Sequence, residues 1–72
     1  MTQPRPPDAG RAGDWIEEPA GEGHPHPRRG LILEVLGRDR HRHYRVRWDE
    51  EHETVHFPSP SARIVPADSV AP

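Results

Sequence analysis

Residues 52 to 56 read His52-Glu53-Thr54-Val55-His56, the H-E-x-x-H spelling of zinc peptidases. There, a spacing of four sets both imidazoles on one face of a helix, with the glutamate beside them as general base. The local sequence opposes a helix. Thr54 and Val55 are β-branched, and Pro58 disfavours helical backbone at the residue before it. A chain of 72 residues also has little room for a third ligand and a substrate cleft. The spelling is read as chance within a strand, and no protease is expected.

The remaining histidine pairs are His24-Pro25-His26 and His41-Arg42-His43. Side chains two apart on a strand share a face, so His41 and His43 are candidate chelators, with His52 and His56 across a hairpin. No acid or thiolate completes a recognisable geometry, so no metal or cofactor is assigned. Arg45 and Arg47, flanked by His43, form a basic stripe that Arg28 and Arg29 extend. The candidate ligand-binding set is therefore Arg28, Arg29, His43, Arg45 and Arg47. Guanidinium groups grip phosphate or carboxylate through paired hydrogen bonds. Residues 28 to 47 hold seven Arg against Glu34 and Asp39, or 7 − 2 = +5, while residues 48 to 57 hold four acids, or −4. Pairing of these charges across the hairpin is the competing account of the stripe. If the histidines line the same face, polyanion binding is expected to rise as pH falls through ~6.5.

The elements that must position these groups are strands. Between residues 43 and 57, Tyr44, Val46 and Trp48 alternate with His43, Arg45 and Arg47. This is the period of a strand with one face in a core. Asp49-Glu50-Glu51 is a polar turn, after which Glu53, Val55 and Phe57 share a face. Pro58-Ser59-Pro60 ends the hairpin, since proline cannot continue a ladder. Trp48 and Phe57 are expected inside. Upstream, Gly13-Asp14-Trp15-Ile16-Glu17 opens a short strand, and Pro19 to Pro27 read as a loop. In Leu31-Ile32-Leu33-Glu34-Val35-Leu36 the expected inward residues are Leu31, Leu33 and Val35. Gly37 to Arg42 form a polar connection, and Ile64-Val65 a last strand, with a 3₁₀ turn expected near residues 59 to 62.

Composition bounds the rest. The formal net charge is −2, unlike the strongly basic balance of a general nucleic-acid binder. There is no cysteine, so no disulfide or thiolate staple supports a core this small. The N-terminus lacks the apolar run of a secretory signal, and nothing approaches the ~20 apolar residues of a membrane span. A cytoplasmic location is the expectation. Residues 1 to 12, with three Pro among Gly, Asp and Arg, read as a disordered tail, residues 13 to 66 as one domain, and residues 67 to 72 as a second tail.

Gly13-Asp14-Trp15, Arg28-Arg29-Gly30, Ile32-Leu33-Glu34-Val35, Tyr44-Arg45-Val46-Arg47-Trp48, His52-Glu53 and Phe57-Pro58-Ser59-Pro60 follow in that order. In this the chain resembles, over roughly residues 11 to 66, the small actinobacterial family called domain of unknown function nineteen-eighteen. The resemblance implies an SH3-like barrel and a bacterial cytosolic setting, and it carries no activity or site. Glu51 and Ser59 stand where the family usually has Gly. A turn demanding positive φ at residue 51 would be strained with Glu, so a different hairpin loop is expected. Five short strands and no credible helix predict an all-β, five-stranded SH3-like barrel with disordered termini. No nucleophile–base pair, phosphate loop or carboxylate dyad is visible, so no enzyme is expected. The expected role is a small interaction module, monomeric or weakly self-associating, that binds an unidentified protein or peptide through an edge strand or the Pro-rich loops. The alternative is a weak nucleic-acid-binding barrel using the Arg/His face.

Overall fold

The computed structural model describes residues 5–21 and 25–67. Five strands form one antiparallel sheet: β1 (Trp15–Glu18), β2 (Arg28–Leu36), β3 (His43–Asp49), β4 (His52–His56) and β5 (Arg63–Val65). Their order is β4-β3-β2-β1-β5. No α-helix occurs among the described residues, and 3₁₀ turns lie at Pro7–Ala9 and Asp39–His41. The sheet curls on itself. Glu18 at the end of β1 reaches His56 of β4 at 2.6 Å, although β2 and β3 lie between them in the sheet.

Alternation builds the core. Ile16, Ile32, Tyr44, Val46, Ala62 and Ile64 are buried, with Val35 and Trp48 packed against them. Each large side chain removed from water is worth about 1.5–3 kcal/mol. With five large side chains fully buried among the described residues, each one matters to the fold.

The inward phase of β2 differs from the simple alternation. Leu31 and Leu33 are only half-buried, whereas Ile32 lies at 1% exposure in the core. A bulge causes this. Ile32 pairs with Val46 and Glu34 with Arg45, so Leu33 is an extra residue and the phase inverts across it. Val35, beyond the bulge, faces the core as its pattern implies.

β4 also turns its other face inward. Thr54 and His56 pair with Val46 and Tyr44, while Glu53 and Val55 pair with Arg47 and Arg45 on the solvent side. Phe57, expected inside, is 68% exposed, and Val55 is 54% exposed. Trp48 is half-buried rather than enclosed, and its Nε1 donates to Thr54 Oγ1 at 2.8 Å. At the hairpin turn a second bulge separates the Arg47–Glu53 and Asp49–His52 pairs. The Glu51 amide donates to Asp49 Oδ1 at 2.8 Å, and Glu51 does not adopt positive φ. The turn thus closes without glycine. The Ala62 amide donates to the Ser59 carbonyl at 3.0 Å, a hydrogen-bonded turn without 3₁₀ helix at the place where a 3₁₀ turn was expected.

The segment expected to be a free tail is docked from residue 5 onward. Arg5 exchanges backbone hydrogen bonds with Ile64 at 2.7 and 2.9 Å, covering the outer edge of β5. The buried Tyr44 hydroxyl donates to the Pro7 carbonyl at 2.6 Å and accepts from the Gly10 amide at 3.0 Å. Arg42 adds a bond from Nη1 to the Asp8 carbonyl at 3.1 Å. A side chain at residue 10 would meet Ile32 Cδ1 at 2.8 Å and Tyr44 Cζ at 2.9 Å, so only glycine lets the strap lie this close. Asp14, 7% exposed, accepts from the Arg11 amide at 3.1 Å and the Ala67 amide at 3.2 Å, with Arg5 Nη1 at 3.4 Å. Polar satisfaction, which apolar periodicity does not register, holds this strap. Residues 1–4 and 68–72, the outer parts of the two expected tails, lie outside the described residues.

Candidate functional site

The expected arginine stripe forms, but its charges are matched. On the solvent face Arg45 Nη2 lies 3.5 Å from Glu34 and Arg47 Nη2 lies 3.8 Å from Glu53, both as cross-strand neighbours. Arg29 Nη2 lies 3.2 Å from Glu17, whose other oxygen takes Arg63 at 3.0 Å. The Arg29 guanidinium also sits 5.6 Å from the centre of the Trp15 ring. Exposed pairs of this kind add little stability. Their consequence is electrostatic: Arg29, Arg45, Arg47 and Arg63 each have an acid beside them.

Arg28 leaves the stripe, and His43 stays on its face but is taken up by an aromatic ring. Arg28 lies on the side of the sheet that carries Gly30 and Ile32, its guanidinium 4.5 Å from the centre of the Trp48 ring. This cation–π contact covers half-buried Trp48 and uses the charge locally. His43 stacks on Phe57, ring centroids 4.3 Å apart and planes 17° apart. Its Nδ1 donates to the His41 carbonyl at 2.7 Å. Of the five candidates, therefore, Arg29, His43, Arg45 and Arg47 share one face, His43 being taken up by the Phe57 ring, while Arg28 lies on the other face against Trp48.

His52 and His56 are committed too. His52 Nδ1 donates to Asp49 at 2.7 Å, and the Glu51 amide with His52 holds the Asp49 carboxyl below the usual carboxylate range. His56 Nε2 donates to Glu18 Oε2 at 2.6 Å and meets the Trp48 ring edge-on at 5.0 Å. His52 and His56 therefore sit in a strand, each bound to a different carboxylate, and the four histidines 41, 43, 52 and 56 do not converge. No cluster of three or more metal-ligating side chains occurs among the described residues.

Glu18 was not singled out by sequence pattern. Its side chain is 3% exposed and accepts from the Ser59 hydroxyl at 2.6 Å, the Ser59 amide at 2.9 Å and His56. Burial alone would push the carboxyl up. The two bonds from Ser59, with His56, outweigh burial and hold it below its ordinary value. The group ties the end of β1 to the end of β4 and closes the curl. Serine, histidine and carboxylate meet here in the wrong order for nucleophilic catalysis: the Ser59 hydroxyl donates to the acid, not to the imidazole. An open depression of about 370 Å³ flanks Glu18 and is lined by Pro19, Ala20, Pro27 and Arg63.

The sequence reading expected an edge strand or the Pro-rich loops to bind but did not single out the edge of β4. The edge of β5 is covered by Arg5, but no described residue hydrogen-bonds to the outer edge of β4. Among the described residues Val55 and Phe57 are the large apolar side chains exposed on the surface, and they flank this edge. A shallow depression of about 220 Å³, lined by Arg45, Glu53, Thr54 and Val55, runs beside it. The available signal was Glu53: sharing a face with Val55 and Phe57, it marks that face as the solvent one.

No described helix is long and apolar enough to cross a membrane. Comparisons with curated proteins and with solved structures return no significant match. Residues 9–64 match the family described as Domain of unknown function (DUF1918), and with most of the chain matched, the protein belongs to that family.

Proposed function

We propose that this domain is a non-catalytic interaction module, an SH3-like barrel that binds an extended segment of another protein along the β4 edge. The observation that carries the reading is the open outer edge of β4 beside exposed Val55 and Phe57. A sheet edge offers unpaired N–H and C=O groups to an added strand, and neighbouring side chains select its sequence. The matched arginines count against the nucleic-acid alternative. A phosphate would have to displace Glu34, Glu53 or Glu17 before it met Arg45, Arg47 or Arg29. The bacterial cytosol is part of the same proposal and rests on the family resemblance.

The test is selection of a displayed random-peptide library on the immobilised domain, followed by heteronuclear NMR mapping of an enriched peptide. Amide shifts concentrated in His52–His56 and Phe57, abolished in Val55→Asp, are the expected result. Shifts centred on β1 or β5 would overturn the reading. So would tight, salt-sensitive binding of a single-stranded oligonucleotide with no enriched peptide.

A further inference from the structure

Resting on that strand-addition reading, we infer that the occupant of the β4 edge carries the pattern apolar-x-apolar-x-basic. Its basic end lies toward the 49–52 turn. The register of the hairpin determines what an added strand meets. On the solvent face the outermost residues are Glu53, opposite Arg47, and Val55, opposite Arg45. Two residues further on lies Phe57, exposed and braced by the His43 ring. Residues directly opposite across a ladder are about 4.5–5.5 Å apart at Cβ, so each of these selects the side chain facing it. Apolar groups therefore face Phe57 and Val55, and a base faces Glu53.

The turn extends the same preference. Glu50 and Glu51 are exposed and have no ion-pair partner among the described residues, while Asp49 is already held by His52. Arg47 lies 3.8 Å from Glu53, the longest ion pair of the face, and leaves Glu53 exposed on its outer side. One end of the edge is thus acidic, with Glu50 and Glu51 unpaired among the described residues, and the other apolar. A second copy of this chain does not satisfy it. Any two-fold antiparallel pairing of β4 with itself sets Glu53 opposite Glu51, Glu53, Val55 or Phe57, never a base.

The test uses two blocked synthetic peptides that alternate threonine with two valines and then two arginines, or two glutamates in their place. Both are titrated into the full chain and followed by amide shifts. The arginine peptide should perturb His52–His56 and bind about tenfold tighter than its twin, two cross-strand charge pairs being at stake. In a Glu51→Arg/Glu53→Arg double variant, which gives up the exposed Arg47–Glu53 pair and whose fold is checked by circular dichroism, the preference should reverse. Equal binding of both peptides at β4, or a preference that does not reverse, overturns the charge pattern and leaves strand addition standing. Shifts confined to other strands, no binding by either peptide, or concentration-dependent dimerisation in sedimentation overturn both.

Discussion

Replacing Tyr44 by Phe isolates the bond between the strap and the barrel. The ring, at 0% exposure, stays in the core beside Ile16, Ile32 and Val46, so packing is retained. Only the hydroxyl goes, with its bonds to the Pro7 carbonyl at 2.6 Å and from the Gly10 amide at 3.0 Å. Gly10 is buried, so its N–H is left without a partner. The half-buried Pro7 carbonyl is partly rehydrated. An orphaned buried donor costs about 1–3 kcal/mol and the lost carbonyl bond adds less, for a total of about 2–3 kcal/mol. In a domain this size that lowers Tm by roughly 10–20 °C. Thermal melts by circular dichroism, and denaturant unfolding followed by the two tryptophans, measure it.

Deletion of residues 1–10 completes the cycle. A free tail would leave Tm unchanged, whereas a bonded strap makes the deletion cost at least as much as Tyr44→Phe. In the truncated chain the hydroxyl meets water, and Tyr44→Phe should then cost under ~0.5 kcal/mol. Equal costs of Tyr44→Phe in both backgrounds would refute the strap. Tyr44 is the sole tyrosine, so its ionisation is read directly by ultraviolet absorbance. Burial, only partly countered by the Gly10 amide and Arg42, pushes the hydroxyl above its ordinary 10.0. The unfolded chain then loses that proton first, so this contribution is present below pH 10 and falls as pH rises through the folded value. Tyr44→Phe should abolish that alkaline loss.

Glu18→Gln should cost about 1–3 kcal/mol near neutral pH, because the Ser59 and His56 bonds are weakened or mismatched. Since the folded carboxyl is held below 4.5, the stability it supplies is present above that value and lost as pH falls below it. The gap between wild type and Glu18→Gln in denaturant midpoints should therefore narrow from pH 7 to pH 3, and a constant gap would count against the closure. Gly30→Ala should destabilise by about 1–3 kcal/mol, its methyl colliding with Val46 and lying 2.8 Å from Trp48 Cε3; an unchanged midpoint would contradict the packing. Val55→Glu should move stability by less than ~0.5 kcal/mol, being exposed, and a collapse in Tm would show Val55 to be structural.

What was legible in this chain was whatever follows from period two and from chain breakers. Tyr44 and Val46 face inward as their alternation requires, and Pro58 ends the hairpin strand. The extra residue at Leu33 carries no mark of its own, and it moved Ile32 into the core in place of its neighbours. Phe57 looked like core because it is aromatic, yet β4 is an edge strand whose inner positions are Thr54 and His56. Apolar character therefore decided nothing there. The strap and Glu18 escaped for a related reason. Both are held by hydrogen bonds between residues 34 to 41 apart, which neither composition nor periodicity encodes. The arginine stripe was legible as geometry but not as chemistry. Whether Arg45 and Arg47 grip a ligand depends on Glu34 and Glu53 standing opposite them, and that depends on the register. The same register leaves Val55 and Phe57 uncovered. It takes the candidate site off the arginines and puts it on the strand edge.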